Sequence, residues 1–299
     1  MKKRIRFIIN PRSGISSKAD LPSLIRAHLD HDRFEAEFRF TEHAGHATVL
    51  SREGKENGFD IIAVAGGDGS MNEAAGPLRN SGTALALLPC GSGNGLARHL
   101  GIPLDLPAAI RMIGSGEVRS IDTFTAGPYH GVGTFGIGFD AHIAHLFAKS
   151  PKRGYGTYVR LVLGEFSSYP AFDLQMEVDG AAVTDRLFLM TFANSSQFGN
   201  NAVIAPGADI SDGLMDLAMV RPFPWYSAPH LIYRLTANSL DRSRFYRRIR
   251  GSRIRVINSN ELKAHIDGEP VLISGDFTVE LSKRSLKIIV PSEAPVGNR

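Results

Sequence analysis

Asp60-Ile-Ile-Ala-Val-Ala-Gly-Gly-Asp-Gly-Ser-Met-Asn72 is the stretch on which the fold turns. Its first half, Ile61 to Ala65, is an unbroken apolar run. Such a run fits a strand buried on both faces, as in a parallel sheet covered by helices. Gly66, Gly67 and Gly69 then surround Asp68. Glycine costs backbone entropy and buries no side chain, so three in four positions serve a steric purpose: a sharp turn and close approach to the backbone. Ser70-Met71-Asn72-Glu73 reads as the first turn of a helix. A glycine turn between the carboxyl end of a parallel strand and a helix N-terminus holds phosphates in α/β folds, because free N–H groups and the helix dipole attract an anion. Asp68 would repel that anion unless a cation lay between them, and Mg2+ on a nucleoside triphosphate supplies one. The simpler alternative makes Asp68 a helix N-cap. The string is neither a Walker A loop nor GxGxxG.

Outward from this stretch, strands alternate with helices. Arg4 to Asn10 reads as a strand ending in the turn Asn10-Pro-Arg-Ser-Gly14, and Lys18 to Leu29 has helical spacing. Phe34 to Phe40 alternates as a strand with one solvated face, and a helix follows from the Thr41-Glu-His-Ala-Gly-His-Ala47 segment to about Asn57. Thr83 to Cys90 is a second apolar strand ending in glycines, Pro89-Cys-Gly-Ser-Gly-Asn-Gly95, and Leu106 to Ile113 is a short helix. The pattern implies a doubly wound parallel sheet. If the two glycine-ended strands are neighbours, their loops face one another, and Ser92 and Asn94 become donors to phosphate or base; otherwise both simply shape the turn.

After about Ser120 short strands dominate: Gly131–Asp140, Phe172–Val178, Arg186–Asn194, Leu214–Arg221, Arg253–Ile257, Lys263–Ile266, Phe277–Leu281 and Ser285–Val290. They indicate an antiparallel sandwich or barrel. Helical stretches are expected at Ala141–Lys149, Tyr155–Tyr169 and His230–Leu240, the last with Pro229 in its first turn and Ser227 as cap.

The 299 residues suffice for one large or two ordinary domains, and 43% hydrophobic with 21% charged residues is the balance of a globular protein in water. A net charge of +4 permits an anionic partner without demanding one. The single cysteine, Cys90, excludes an intramolecular disulfide and suits a reducing compartment. The basic-then-apolar start is too short, and broken by Arg6, for a signal peptide. A cytoplasmic protein, at most peripheral to the membrane, is expected.

Three constellations mark the second half. Asp209-Ile-Ser-Asp212-Gly-Leu214 could bind a divalent cation through oxygens, although an Asp-Gly turn alone accounts for it. Ile266-Asp267-Gly-Glu269-Pro270 puts carboxylates on a rigid turn that could orient and deprotonate a hydroxyl, or it is an exposed hairpin. Arg242 to Arg255 holds seven arginines with Phe245, Tyr246, Ile249 and Ile254 among them, a pattern for an anionic membrane or nucleic acid, or merely a solvated face. His142 and His145, and His28 and His31, read as ordinary helix residues.

Five motifs in order, Asn10–Gly14, Thr41–Gly45, Gly66–Glu73, Leu88–Asn94 and Ile266–Glu269, resemble the diacylglycerol kinase catalytic-domain family, which includes bacterial lipid kinases and sphingosine and ceramide kinases. The resemblance implies an N-terminal α/β domain like those of NAD kinases and phosphofructokinases, at 1–122 with 284–295 returning to it, and a C-terminal antiparallel β-sandwich at 123–283. It implies ATP in a cleft between them. The nucleotide set would be Asn10, Thr41, Gly66, Gly67, Asp68, Gly69, Ser70, Met71, Asn72, Glu73, Gly91, Ser92 and Asn94. Glu269 would accept the hydroxyl proton beside Asp267, with Asp68 holding Mg2+ or sharing that duty. Asp209, Asp212 and the Leu214 carbonyl would match an accessory Mg2+ site. Gly91-Ser-Gly-Asn94 resembles the sphingosine-kinase variant. The expected partners are a membrane lipid substrate, received in an apolar groove of the second domain, and a membrane surface met by the arginine run. No nucleic acid is expected, and a homodimer is left open. The rivals are a soluble-substrate kinase of the NAD-kinase kind, a nucleotide-sensing regulator without catalysis, and an arginine-driven nucleic-acid binder.

Overall fold

The computed structural model describes residues 2–14, 20–151 and 154–292. Lys18, the expected start of the first helix, and residues 293–295 of the returning segment lie outside them. The chain divides into two compact units, Met1–Ile121 with Arg284–Arg299, and Asp122–Lys283.

The first unit follows its hydrophobic pattern. Strands β1 (Lys3–Ile9), β2 (Phe34–Phe40), β3 (Ile61–Gly66) and β4 (Ala84–Pro89) alternate with helices α1 (Leu21–His28), α2 (His46–Glu56) and α3 (Asp68–Leu78). All six residues of β3 and all six of β4 are buried, as their unbroken apolar runs require when helices cover both faces of a sheet. The strands run parallel in the order β2-β1-β3-β4. Beyond β4 come α4 (Gly95–His99), which the sequence reading missed, and α5 (Leu106–Ser115), capped by Asp105 accepting from the Ala108 N–H at 3.0 Å. Strand β5 (Glu117–Ala126), also missed, carries the chain into the second unit.

The second unit is antiparallel. It contains β6 (Tyr129–Gly131), β7 (Thr134–Gly138), helices α6 (Phe139–Lys149) and α7 (Tyr155–Glu165), then β8 (Phe172–Val178), β9 (Ala181–Leu187), β10 (Leu189–Ala193) and β11 (Met215–Val220). Helix α8 (Ala228–Thr236) precedes β12 (Tyr246–Gly251), β13 (Arg253–Ile257), β14 (Glu261–Ile266), β15 (Glu269–Ser274) and β16 (Phe277–Val290). One sheet runs β12-β11-β10-β7-β14-β15. The opposing layer joins β9, β8, β13 and the first residues of β16. Phe135, Met190, Phe192 and Leu217 of the first sheet meet Leu174, Met176, Ile254, Val256 and Val279 of the second in one core, a β-sandwich.

The structure corrects several boundaries. Phe277–Leu281 and Ser285–Val290, expected as two strands, form the single β16, whose last residues belong to the first unit. There Leu286, Ile288, Ile289 and Val290 are buried and Ile288 pairs parallel with Leu85 of β4. Helix α8 is shorter than expected and begins at Ala228; Ser227 occupies the N-cap position but makes no side-chain cap bond. Of the arginine run, Arg247, Arg248 and Arg250 lie on β12 and Arg253 and Arg255 on β13, while Arg242 and Arg244 precede both strands. Among the described residues no helix is long and apolar enough to cross a membrane.

Candidate active site

Strands β3 and β4 pair in register from Ile61↔Ala84 to Gly66↔Pro89, so their glycine loops leave the sheet side by side. The Cys90 N–H donates to the Gly66 carbonyl at 2.8 Å, drawing the loops together. A Cβ built on Gly91 would lie 2.6 Å from the Gly67 Cα, and one on Gly66 would lie 2.6 Å from the Ser70 Cβ. Backbone meets backbone here, which only glycine permits. Helix α3 starts at Asp68 with Gly67 as its N-cap and no side-chain cap bond. Asp68 is therefore the first helical residue, not the cap. A helix N-terminus without a side-chain cap, set behind glycines, is an arrangement that suits an anion.

The sheet order places this cradle. β1 lies between β2 and β3, so connections diverge at the carboxyl ends of β1 and β3, the switch point where open α/β sheets bind ligands. Asn10, just past β1, spans that point: its side-chain amide donates to the Ser70 hydroxyl at 2.8 Å, and its oxygen accepts from the Arg12 N–H at 3.0 Å. Buried Thr41, just past β2, donates its N–H to the Ile9 carbonyl at 2.9 Å. Gly69 and half-buried Asn72 share the first turns of α3, and Ser92 is exposed in the second loop.

Other members of the expected nucleotide set hold the site's shape. Met71 is fully buried and supports α3 from the core. The Glu73 carboxylate accepts from the Gly45 N–H at 2.8 Å and the Ala47 N–H at 3.2 Å, caps α2 and ties the Thr41–Gly45 segment to α3. Asn94, left-handed with φ 52°, accepts from the Gly91 N–H and donates to the Gly91 carbonyl, each at 2.9 Å. Its amide closes the loop, the turn role weighed against phosphate binding.

In the second unit, Asp267 and Gly268 have φ of 48° and 85° and join β14 to β15 as a tight hairpin. This is not an idle turn. The Asp267 carboxylate accepts from the N–H groups of Val132 at 3.0 Å, Gly133 at 2.8 Å and Thr134 at 2.7 Å. Burial pushes its carboxyl above the ordinary range while the three amides pull the other way. Asp267 is thus a structural clamp, and exposed Glu269 stands on the turn it fixes. Beneath the turn, buried His265 faces the Asp140 carboxylate through Nε2 at 3.3 Å, and the Thr191 hydroxyl donates to that carboxylate at 3.0 Å. The Gly268 N–H lies 3.4 Å from His265 Nδ1. Buried Asn194 donates to the carbonyls of Asp122 at 2.9 Å and Val132 at 2.7 Å. The sequence reading missed Asp140, Thr191, Asn194 and His265; a histidine directly before Ile266-Asp267 was the available signal.

The Asp209–Leu214 loop is arranged differently from a cation cage. Asp209 Oδ1 accepts from the N–H and hydroxyl of Ser211 at 2.9 and 2.7 Å, and Asp212 Oδ1 accepts from the Leu214 N–H at 2.9 Å. The other Asp212 oxygen pairs with Arg250, and buried Asp216 pairs with Arg248 and, at 3.4 Å, with Arg250. Burial raises the Asp216 pKa against these cations. Guanidinium groups meet these carboxylates, and among the described residues no group of three or more His, Cys, Asp or Glu could hold a metal. The residues as placed do not fit an accessory divalent ion.

The same ion pairs engage much of the arginine run: Arg247 meets Asp185 at 3.0 Å and Arg255 meets Asp276 at 2.9 Å. His142, His145 and His28 lie on helices as expected, whereas His31 falls in the turn past the end of α1. His142 pairs with Glu165 at 2.8 Å, His145 lies 3.1 Å from the carbonyls of Ala264 and Val271, and His28 meets Arg111. Phe139, Phe166, Tyr169 and Phe188 pack ring on ring beside α6 and α7, with centroids 4.7 to 6.2 Å apart.

Comparison with known proteins agrees with this arrangement. Residues 4–126 match the diacylglycerol kinase catalytic domain, and residues 133–290 match the YegS C-terminal NAD kinase β-sandwich-like domain. A Chromohalobacter salexigens protein named "Probable lipid kinase YegS-like" is 28% identical over 78% of this chain and 76% of its own length. A Bacillus subtilis diacylglycerol kinase is 27% identical over 97% of each chain. The crystal structure of a diacylglycerol kinase from Bacillus anthracis str. Sterne superposes with a TM-score of 0.74 over 98% of each chain at 19% identity, a likeness of fold. The chain belongs to the kinase family that joins a diacylglycerol kinase catalytic domain to the YegS-type β-sandwich-like domain.

Proposed function

We propose that this protein is an ATP-dependent lipid kinase that transfers the γ-phosphate of MgATP to a hydroxyl of a diacylglycerol-like or long-chain-base lipid. The observation that carries the reading is the contact of Gly67 with Gly91 in front of the uncapped N-terminus of α3. When bound, MgATP supplies the phosphoryl group and a cation to neutralise its charge. The amides of the glycine loops and of the first turn of α3 would position the phosphates, and Asp68 would hold the cation. Glu269 orients the acceptor hydroxyl and takes its proton late, because a free alkoxide is too basic to form first. Asp267 and His265 keep the Glu269 turn in place. The apolar chains of the acceptor must leave water, which calls for an apolar groove in the second unit.

The test is incubation with labelled ATP and a total lipid extract, followed by chromatography of the products. A labelled phospholipid supports the reading. ATP binding without a lipid product identifies a regulator instead, and a labelled dinucleotide from added NAD identifies a soluble-substrate kinase. Asp68→Ala and Glu269→Ala should each lower turnover by roughly three orders of magnitude while the fold persists. The double variant should be little worse than either single one, since residues acting as one unit are not additive. Wild-type rates in either single variant remove that residue's role.

A further inference from the structure

Among the described residues, eleven large apolar side chains are markedly exposed, and four lie within nine positions: Trp225 at 77%, Tyr226 at 65%, Ile232 at 47% and Tyr233 at 65%. They belong to α8 and the 3-10 turn Trp225–Ser227 that feeds it. The helix is held by its other face. Leu231 is buried and, with Leu235, packs against Ile204, Ala205, Val220 and Leu240. A surface helix ordinarily presents polar residues where this one presents Pro229, Ile232 and Tyr233. Two rings with polar edges and an indole fit the boundary between water and acyl chains, where tryptophan and tyrosine concentrate.

The charge along this stretch is mostly positive. From Leu217 to Leu240 there is no aspartate or glutamate, while Arg234 falls within the same span and Arg221 pairs with Asp185. Arg242 and Arg244 follow, both exposed, on the segment between α8 and β12. Asp241 is the one carboxylate between Leu217 and Glu261. An aromatic face bordered by arginine complements an anionic bilayer, whose negative potential attracts basic groups held near its surface. The arginines of β12 and β13 that salt-bridge Asp185, Asp212, Asp216 and Asp276 are not needed for this.

We propose that the Trp225–Ser227 turn and the outer face of α8 form a foot that seats the protein on an anionic lipid bilayer. It sets Trp225, Tyr226, Ile232 and Tyr233 at the headgroup boundary and Arg242 and Arg244 against lipid phosphates. The foot stands independently of the kinase reading, because it is tested without ATP.

Trp225 is the only tryptophan in the chain, so its emission reports on the foot alone. The full chain is titrated with phosphatidylcholine vesicles, with and without a third of phosphatidylglycerol. The expected result is a blue shift, and quenching by brominated acyl chains, with the anionic vesicles only, weakened by salt. Tyr226→Ser/Tyr233→Ser and Arg242→Glu/Arg244→Glu, which keep the reporter, should each lower co-sedimentation by about tenfold or more. Far-UV circular dichroism and the melting temperature should stay at the wild-type level in both. Emission unmoved by either vesicle overturns the proposal. So does vesicle binding indifferent to both variants, or a blue shift produced by raising protein concentration without lipid, which would make the face a contact between copies.

Discussion

Gly91 shows how much a single hydrogen atom can decide. Its backbone is not left-handed, so alanine there is strained by the contacts its Cβ would make, 2.6 Å to the Gly67 Cα and 2.9 Å to Asn94 Oδ1. Relief requires the two loops to part, and they part where phosphate is proposed to bind. Gly91→Ala should therefore weaken ATP binding by about tenfold or more, about 1.4 kcal/mol, while far-UV circular dichroism is unchanged. Calorimetric titration with wild-type affinity would detach the cradle from nucleotide binding. Asp267 teaches the reverse lesson. The sequence marked it as an acid beside Glu269, but its oxygens are turned onto three backbone amides. Its neighbours Thr191 and His265 reach Asp140 from 51 and 125 positions away, separations over which no local pattern operates.

At the scale of the element, β12 turned an apparent anion-binding run into a ladder of ion pairs. Arg248 and Arg250, two positions apart, project to one face of the strand and meet Asp216 of β11 and Asp212 in the loop before it, while Arg247 projects to the other face and meets Asp185 of β9. Asp185 illustrates the energetics. Burial acts to raise its pKa, but the guanidinium N–H donors of Arg221 and Arg247 outweigh it and hold the carboxyl below its ordinary value. A depressed carboxylate contributes stability above the unfolded pKa of about 3.9, and that contribution is lost as pH falls through the lower folded value. Both arginines are well exposed, so screening leaves about 1 kcal/mol at neutral pH. Asp185→Asn should lower Tm by about 2–4 °C at pH 7. That gap should close as the pH drops below the unfolded carboxylate range of about 4. A gap that is the same at both ends of the titration would show that packing, not charge, is what the variant loses.

At the scale of the whole molecule, the first unit is completed by the chain's return. Leu286, Ile288, Ile289 and Val290 of β16 are buried there, and full burial of four such side chains is worth roughly 6–12 kcal/mol. That is comparable with the entire net stability of a domain, roughly 5–15 kcal/mol. A fragment of residues 1–121 should therefore fail to fold, binding ANS and showing no cooperative melt, whereas a version extended by a linker and residues 284–292 should melt cooperatively. Cooperative unfolding of the short fragment would show that β16 is dispensable.

What the sequence settled by itself lies in local pattern. Apolar runs at Ile61–Ala65 and, after Thr83, at Ala84–Pro89, each closed by glycines, are legible because burial on two faces leaves little room for a polar residue. The hairpin at Asp267-Gly268 is legible because positive φ selects such residues. Tertiary structure alone decided that the two glycine loops touch, that Glu73 and Asn94 brace them, and that arginines meet the carboxylates of the 209–216 segment. It also placed Trp225 and Tyr233 outward while Leu231 turns in. Each of these depends on which distant backbone arrives beside a residue. One-dimensional periodicity cannot carry that information, because a side chain's partner is set by sheet order and register, not by its neighbours along the chain.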